Sequence, residues 1–447
     1  MTIQEFQLKL FSAAENSGFT DVEMYYEKKE VFSCQVYKGE IDQYEIAEDG
    51  GVSFRGIING KMGYAYSEKI DDASIPFLLD NAKENTQIMN DDNIEEIFAG
   101  SSHYEQCNFF STSLNDVTIP EKIQFIKDVE RELLAQDPRI VATDYCMIRT
   151  ESVSRTLANN KGLSLTDQMN FLYVIVEGIV KDGEETKTSF EFKVTKDFQR
   201  LNAKEIAKKA ADEALSQLGS RTIESKEYPI ILRNDAAANL LATYSTNFSA
   251  ENTQAGISYL KDKLGKQIAV QKITIVDDPF IEDGLASRTF DSEGVATKKL
   301  TLVESGVLKS LLHNQKTAKK EQTETTGHAY KDSYKSVVKV GPSNLYLEPS
   351  TTPFEAVLSS MDEGILITKL QGLHSGANTV SGDFSLAANG FYVKDGKVQY
   401  PVNQMTIAGN FYQLLQNVEE IGADLIFPLS PVGSPSVLVK SLAVTVE

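Results

Sequence analysis

Within the first 220 residues a capped amphipathic helix twice gives way to strand-period segments, and a helix twice returns. That succession of periods constrains the fold more than any other feature of the chain. Thr2 and Glu5 have the spacing of a capping box, in which each side chain satisfies a backbone N–H at the other residue. Phe6, Leu10 and Ala13 or Ala14 then line one helical face, which Gly18 ends. From Asp21 the period becomes that of strands, with turn signals at Lys38-Gly39, Asp49-Gly50-Gly51 and Asn59-Gly60. The last pair, between Val52–Ile58 and Met62–Tyr66, marks a hairpin, because Asn and Gly tolerate the positive φ of a tight turn. A helix over Ser74–Ile88, with Pro76 in its first turn, closes a unit that reads α-β-β-β-β-α over residues 1–90.

Residues 91–117, polar and irregular through Asp91-Asp92 and Ser101-Ser102, read as a linker. Thr118 with Glu121 starts a helix through Ile123, Phe125, Ile126, Val129 and Leu133, stopped near Pro138. Strands follow at Ile140–Arg149 and Gly162–Val180, and Asp182-Gly183 turns the chain into Thr186–Val194. The run Phe171–Val180 is far shorter than the roughly 20 residues of a membrane helix and rich in β-branched residues, so it reads as a buried strand. Asn202 with Glu205 caps a helix whose Ile206, Ala210, Ala214 and Leu218 share a face, ended by Gly219. Residues 118–222 thus form an α-β-β-α unit in outline.

The remainder, 223–447, is mostly β. Asn234 or Asp235 is positioned to cap a helix through Ala236–Tyr244. Thr352-Pro353-Phe354-Glu355 has capping-box spacing before a helix to Met361, and Gln413–Ile421 reads as one more helix. Lys316–Lys335 is polar and without periodicity, as in a loop that is mobile or functional. The expected fold class is α+β: small N-terminal α/β layers with antiparallel sheets, followed by a β-rich C-terminal domain.

Lys and Arg number 44 against 64 Asp and Glu, a formal net charge of −20. Such a field repels phosphate backbones, so nucleic acid is not an expected partner. The three cysteines, Cys34, Cys107 and Cys146, include no close pair and suggest no disulfide framework. The first residues carry no signal-peptide pattern, and the expected location is cytoplasmic, away from membranes.

Catalytic zinc needs about three protein ligands and an open position. His103, His313, His328 and His374 are isolated from one another, and the expectation is surface or loop histidines. Asp277-Asp278 and Asp291 with Glu293 could suggest paired acids. Adjacent strand residues point to opposite faces, so structural roles are expected for them. No Gly-x-Ser-x-Gly elbow occurs, and His374-Ser375 has no evident acid partner. No phosphate-binding glycine pattern is present, and no cofactor is expected. The segment from Gly372 to Ser385 is glycine-rich. Gly372, His374, Ser375, Gly376 and Gly382 mark either a loop that pairs an extended peptide through its main chain or a tight turn between strands.

Several ordered segments carry a resemblance: Gly256–Gly265, Thr274–Pro279, Arg288–Val295, Glu304–Leu308, Ser381–Leu386, and Tyr400–Val402 with Thr406–Asn410. Together they resemble the TldD/PmbA family of peptidase subunits, also labelled modulator of DNA gyrase. The wording Gly382-Asp383-Phe384-Ser385 and Ile407-Ala408-Gly409-Asn410 looks most like its metal-free TldE/PmbA branch. In the metal-bearing branch a His-Glu-x-x-x-His motif binds zinc with a cysteine near the C-terminus. Set gap-free on Gly256, Gly265, Asp277 and Asp278, the two histidines fall on Leu241 and Thr246 and the glutamate on Ala242. The matching tail, Pro428 to Pro435, has no cysteine. The resemblance implies a non-catalytic subunit of a cytoplasmic zinc metalloprotease heterodimer that acts on unfolded or leader peptides, with a metal-bearing TldD-like partner. The alternative is a stand-alone homodimeric peptide-binding or scaffold protein.

Overall fold

The computed structural model describes residues 1–88 and 95–446. Six strands, β1 (Asp21–Tyr37), β2 (Glu40–Ile58), β3 (Lys61–Ser67), β4 (Ile140–Asn159), β5 (Ser164–Asp182) and β6 (Glu185–Thr195), form one sheet in the order β3-β2-β1-β4-β5-β6. Every pairing in it is antiparallel. The joint between β1 and β4 runs from Glu23↔Asn159 to Gln35↔Met147, so strands from residues 1–90 and 118–222 share a single sheet.

Among the described residues five α-helices belong to this half: α1 (Ile3–Asn16), α2 (Ser74–Ile88), α3 (Thr112–Asn115), α4 (Ile119–Leu134) and α5 (Ala203–Ser216). Both expected capping boxes form, at Thr2/Glu5 and Thr118/Glu121, and Asn202 caps α5. Phe6 and Leu10 of α1 and Leu78 of α2 pack on Met24, Val52 and Phe54. Ile126 and Leu133 of α4 and Ala210 of α5 pack on Phe32, Cys34, Ile148 and Val174. Met24, Phe32 and Cys34 have the same parity along β1, so both helix pairs cover one face of the sheet. Each fully buried Leu or Phe here contributes about 1.5–3 kcal/mol. On the opposite face Tyr25 packs with Leu157 of β4 and with Phe290 and Tyr334 of the C-terminal half.

Two sequence expectations fail here for physical reasons. Asp49-Gly50-Gly51 does not turn: β2 runs straight through it, giving three strands where four were read. These glycines admit neighbours instead, since a Cβ on Gly51 would lie 2.3 Å from the Tyr334 ring and one on Gly50 2.9 Å from the Glu27 carbonyl. The expected linker is also packed down over its described part. Ile97 and Phe109 are buried, and Asn159 Nδ2 donates to the Phe98 carbonyl at 2.6 Å. Asp91-Asp92 lies outside the described residues.

The C-terminal half is β-rich. β7 (Lys226–Leu232) lies between Glu363–Gln371, its parallel neighbour, and Val437–Val446, its antiparallel one. The sheet continues through Met405–Asn410 to Asp383–Lys394, which pairs back with Glu363–Gln371, so the strand order closes on itself. A second sheet contains β8 (Ile275–Asp277) beside Leu300–Glu304 and Leu345–Leu347. α6 (Asn234–Tyr244), α7 (Ala250–Ala255) and α8 (Gln315–Glu321) complete the elements used below.

Further corrections fall in this half. Gln413–Ile421 divides into a helix, Phe411–Gln416, and a strand, Val418–Ile421, because Val418 and Ile421 enter the core by pairing with Val437–Val446. The Thr352 box does not form: the helix Phe354–Ser359 begins behind Pro353 with no side-chain cap. Lys316–Lys335 is not one loop. Asn314 caps α8, Ala329–Tyr330 pairs with Lys339–Val340, and His328, Lys331 and Tyr334 are buried. Among the described residues no helix is long and apolar enough to cross a membrane.

Candidate functional site: a motif helix and two cavities

Arg233 is the N-cap residue of α6 and its side chain makes no cap, while Asn234 and Asp235 lie inside the first turn and their Oδ1 atoms each accept the next residue's N–H, at 2.8 and 2.9 Å. The Arg233 guanidinium instead binds Asp235 at 2.9 and 2.6 Å and Glu213 of α5 at 2.9 and 3.0 Å. These bidentate, charge-assisted bonds tie the start of α6 to the central helix layer. The helix then tightens into a 3-10 turn at Ser245–Phe248.

The three motif positions do not converge. Leu241 is 5% exposed and packs near Ile273, Ile275, Leu347 and Leu414 in the core. Ala242 is half-buried, and Thr246 is exposed at the wall of a cavity of 610 Å³. Two hydrocarbon side chains and one hydroxyl do not fit zinc, which takes nitrogen, thiolate or carboxylate ligands. Among the described residues no group of three or more His, Cys, Asp and Glu side chains could hold a metal ion.

The glycine-rich loop is clamped onto the end of this helix. Tyr244 Oη donates to the carbonyls of Gly382 and Asp383 at 3.1 and 3.0 Å, and Asn247 Nδ2 donates to the Thr379 carbonyl at 2.9 Å. Burial pushes the Tyr244 phenol up to about 12, so it serves as a donor at neutral pH. Gly382 has φ +90°, and a Cβ there would meet the Tyr412 ring at 2.7 Å. Main-chain groups pair within the hairpin, with Asn378 N–H on the Asp383 carbonyl at 2.8 Å and Gly382 N–H on the Asn378 carbonyl at 2.9 Å. Gly372, at φ +73°, leads into a helical turn, Leu373–Gly376, that holds His374 and Ser375 at the surface. Ser375 Oγ donates to the Gly372 carbonyl at 3.3 Å.

Asp277 belongs to a separate buried cluster. It accepts from Ser343 N–H at 2.9 Å and from the Ser343 hydroxyl, and it pairs with His328 Nε2 at 2.9 Å. His328 and His313 are therefore not surface histidines: they are 2% and 5% exposed. Asp291 is buried as well, accepting from the N–H groups of Glu293, Val295 and Ala329. Burial and the adjacent Glu293 raise its carboxyl, against the pull of those three donors. Glu293 and Glu23 flank the Arg55 guanidinium at 3.5 and 2.7 Å, where sheet and C-terminal half meet. Burial, with Arg55 beside it, lowers the ammonium of Lys331 in the same layer.

One cavity flanks α6 and a second flanks the 3-10 turn that follows it. The larger, 1310 Å³, lies between β6 and α5 on one side and the C-terminal sheet on the other. Thr186–Val194 of β6 form one wall, and Arg233, Asn239, Lys369, Asn389 and Thr406 contribute to the others. β6 ends the sheet order, so its outer edge is open toward this groove. The smaller cavity, 610 Å³, is lined by Thr246, Arg155 and Arg288 among others. Neither was foreseen, because their walls come from segments far apart in sequence. Among their lining residues, Arg288, Val402 and Thr406 lie inside resembling segments and Thr246 is a motif position, and these were the available signals.

Three family models match in order. They are described as PmbA/TldA metallopeptidase domain 1 over residues 22–86, the central domain over 112–218, and the C-terminal domain over 225–446. A crystal structure described as a modulator of a DNA gyrase from Thermotoga maritima is 33% identical, covers 99% of this chain and 100% of its own, and superposes with a TM-score of 0.93. TldE from Thermococcus kodakarensis, 22% identical, has the same fold, with a TM-score of 0.89 over 98% of this chain and 100% of its own. The Metalloprotease PmbA of Escherichia coli O157:H7 is 26% identical over 92% of this chain and 89% of that protein.

Proposed function

Because the chain belongs to the PmbA/TldD metallopeptidase family, we propose that it is the non-catalytic, TldE/PmbA-type subunit of a two-subunit peptidase. The observation that carries this reading is the donor set: Leu241, Ala242 and Thr246 stand where the resemblance puts the zinc motif of the metal-bearing branch. The catalytic water would then belong to the partner subunit. This chain would keep the scaffold and present substrate. The 1310 Å³ groove supports that role, since the free edge of β6 offers main-chain donors and acceptors to an extended peptide.

The test joins metal content to pairing. The chain is purified alone and together with a family member that carries the His-Glu-x-x-x-His motif. Metal analysis is expected to find zinc only with that partner, and unstructured peptides are cleaved only by the pair. Stoichiometric zinc held by this chain alone would overturn the reading. Homodimers that ignore the partner would instead support a stand-alone binding protein.

A further inference from the structure

The groove between β6 and the C-terminal sheet has two unlike sides. Every residue of 186–194 lines it. Successive strand residues point to opposite faces, so the groove meets the edge of β6 rather than one face. Among the described residues, no backbone group of 186–194 hydrogen-bonds outside the β5–β6 pairing. That pairing runs without a register shift, so every second residue of β6 turns its N–H and C=O outward. The sheet's other open edge, residues 40–49 of β2 beyond the pairing with β3, carries five acids that deter added strands. β6 has no such guard. It contains no proline and no bulge, and its four charged residues, Glu185, Lys187, Glu191 and Lys193, share one parity.

That parity is the face α5 covers: Glu191 and Lys193 pair with Val176 and Val174, which pack beneath α4 and α5. Lys209 and Glu213 of α5 line the groove on this side. The opposite face of β6 presents Phe190, Phe192 and Val194 with Thr186 and Thr188. Phe190 is 39% exposed, and the Lys369 ammonium lies 4.7 Å from its ring centre. A strand added along β6 inherits this division, its alternate side chains falling among charges or against the aromatic rings. Across from β6 stand Asn389, Met405 and Thr406 of this same chain. A single extended segment can lie between these walls. The edge of a folded subunit would bring its next strand about 4.8 Å behind, into the far wall.

We propose that this groove selects extended peptides whose residues alternate between apolar and polar, with Phe190 as a specificity-determining residue. The apolar side chains lie beside Phe190 and Phe192, the polar ones beside Glu191 and Lys193. The peptide as occupant rests on the function proposed above, while the alternation follows from β6 itself.

The test uses the full chain without a partner subunit, so subunit pairing and peptide selection can fail separately. Two labelled ten-residue peptides contain valine and serine in equal parts, one in alternating order and one with the valines in a block. The alternating peptide is expected to bind about tenfold or more tightly. Phe190→Asp should erase that preference, and Phe190→Leu should keep it. N-methylation of the valines and N-methylation of the serines block opposite edges of the alternating strand, because each residue's N–H and C=O point to one edge. One methylated peptide should still bind, and the other should not. Equal binding of the alternating and blocked peptides, no binding of either, or equal binding of the two methylated forms overturns the proposal. So does a preference that survives Phe190→Asp in a folded variant. If Phe190→Asp instead abolishes pairing with the metal-bearing subunit while the unaltered chain binds both peptides alike, β6 is a subunit joint and the proposal is overturned.

Discussion

Lys331 Nζ donates to Ser53 Oγ at 2.7 Å across 278 positions of sequence, and both side chains are buried. The ammonium also lies over the Tyr25 and Tyr64 rings at 4.7 and 5.1 Å. This contact locks the sheet to the C-terminal half and sits in a layer of charges with Glu23, Arg55 and Glu293.

Arg55 is the cation that both glutamates of that layer depend on. Arg55→Met would leave two buried carboxylates beside Lys331 alone. The expected loss is about 3–5 kcal/mol of unfolding free energy, measured by urea titration. A loss below about 1 kcal/mol would show that the guanidinium's burial cost cancels its attraction.

Tyr244 is the shared donor for two carbonyls of the glycine-rich loop. Tyr244→Phe keeps the ring on Phe411, where the centroids are 4.4 Å apart, and removes only the hydroxyl. The expected cost is about 1–3 kcal/mol. Amide exchange at Gly382 should quicken while that of β7 is unchanged.

Glu130 fastens the β1–β2 turn to α4. Its carboxylate accepts from Lys38 N–H at 2.9 Å, Gly39 N–H at 2.7 Å and the Thr143 hydroxyl at 2.9 Å. In Glu130→Gln one acceptor becomes an NH₂ that faces donors, for an expected loss of about 2 kcal/mol by thermal or urea unfolding.

His313 predicts acid lability. Burial lowers its proton affinity, against the pull of Glu321 at 3.7 Å and with His328 nearby. Below about pH 6.5 the unfolded chain takes up a proton that the folded chain resists, so stability falls as pH drops through that value. The slope from this one group is at most about 1.4 kcal/mol per pH unit. In His313→Gln that part of the slope, read from urea midpoints between about pH 7.5 and about pH 5.5, should vanish.

Local signals were the legible ones. Thr2/Glu5 and Thr118/Glu121 announce their helices because a capping box is complete within four residues. Asp49-Gly50-Gly51 misled because glycine serves close approach as well as turns, and Tyr334, the neighbour that needs the space, is remote in sequence. Val418–Ile421 has helical spacing, but its strand partner prevails. The motif positions Leu241, Ala242 and Thr246 could be found in sequence, while their divergence into core and cavity could not. His328 reads as an isolated surface or loop residue; it lies in a loop, but buried, where the fold brings Asp277 to it.

The joint between β1 and β4 has a kinetic consequence. Tyr25 can meet its partner Leu157 only after a loop containing all of α2 and α4 has closed. Non-local pairing of this kind pays its loop-closure entropy before any contact repays it, which slows folding. A nascent chain that has emerged only through β3 exposes the unpaired side of β1 as a raw, sticky edge. The first ninety residues must therefore wait for the next hundred, and chaperone demand should peak while this protein is half made.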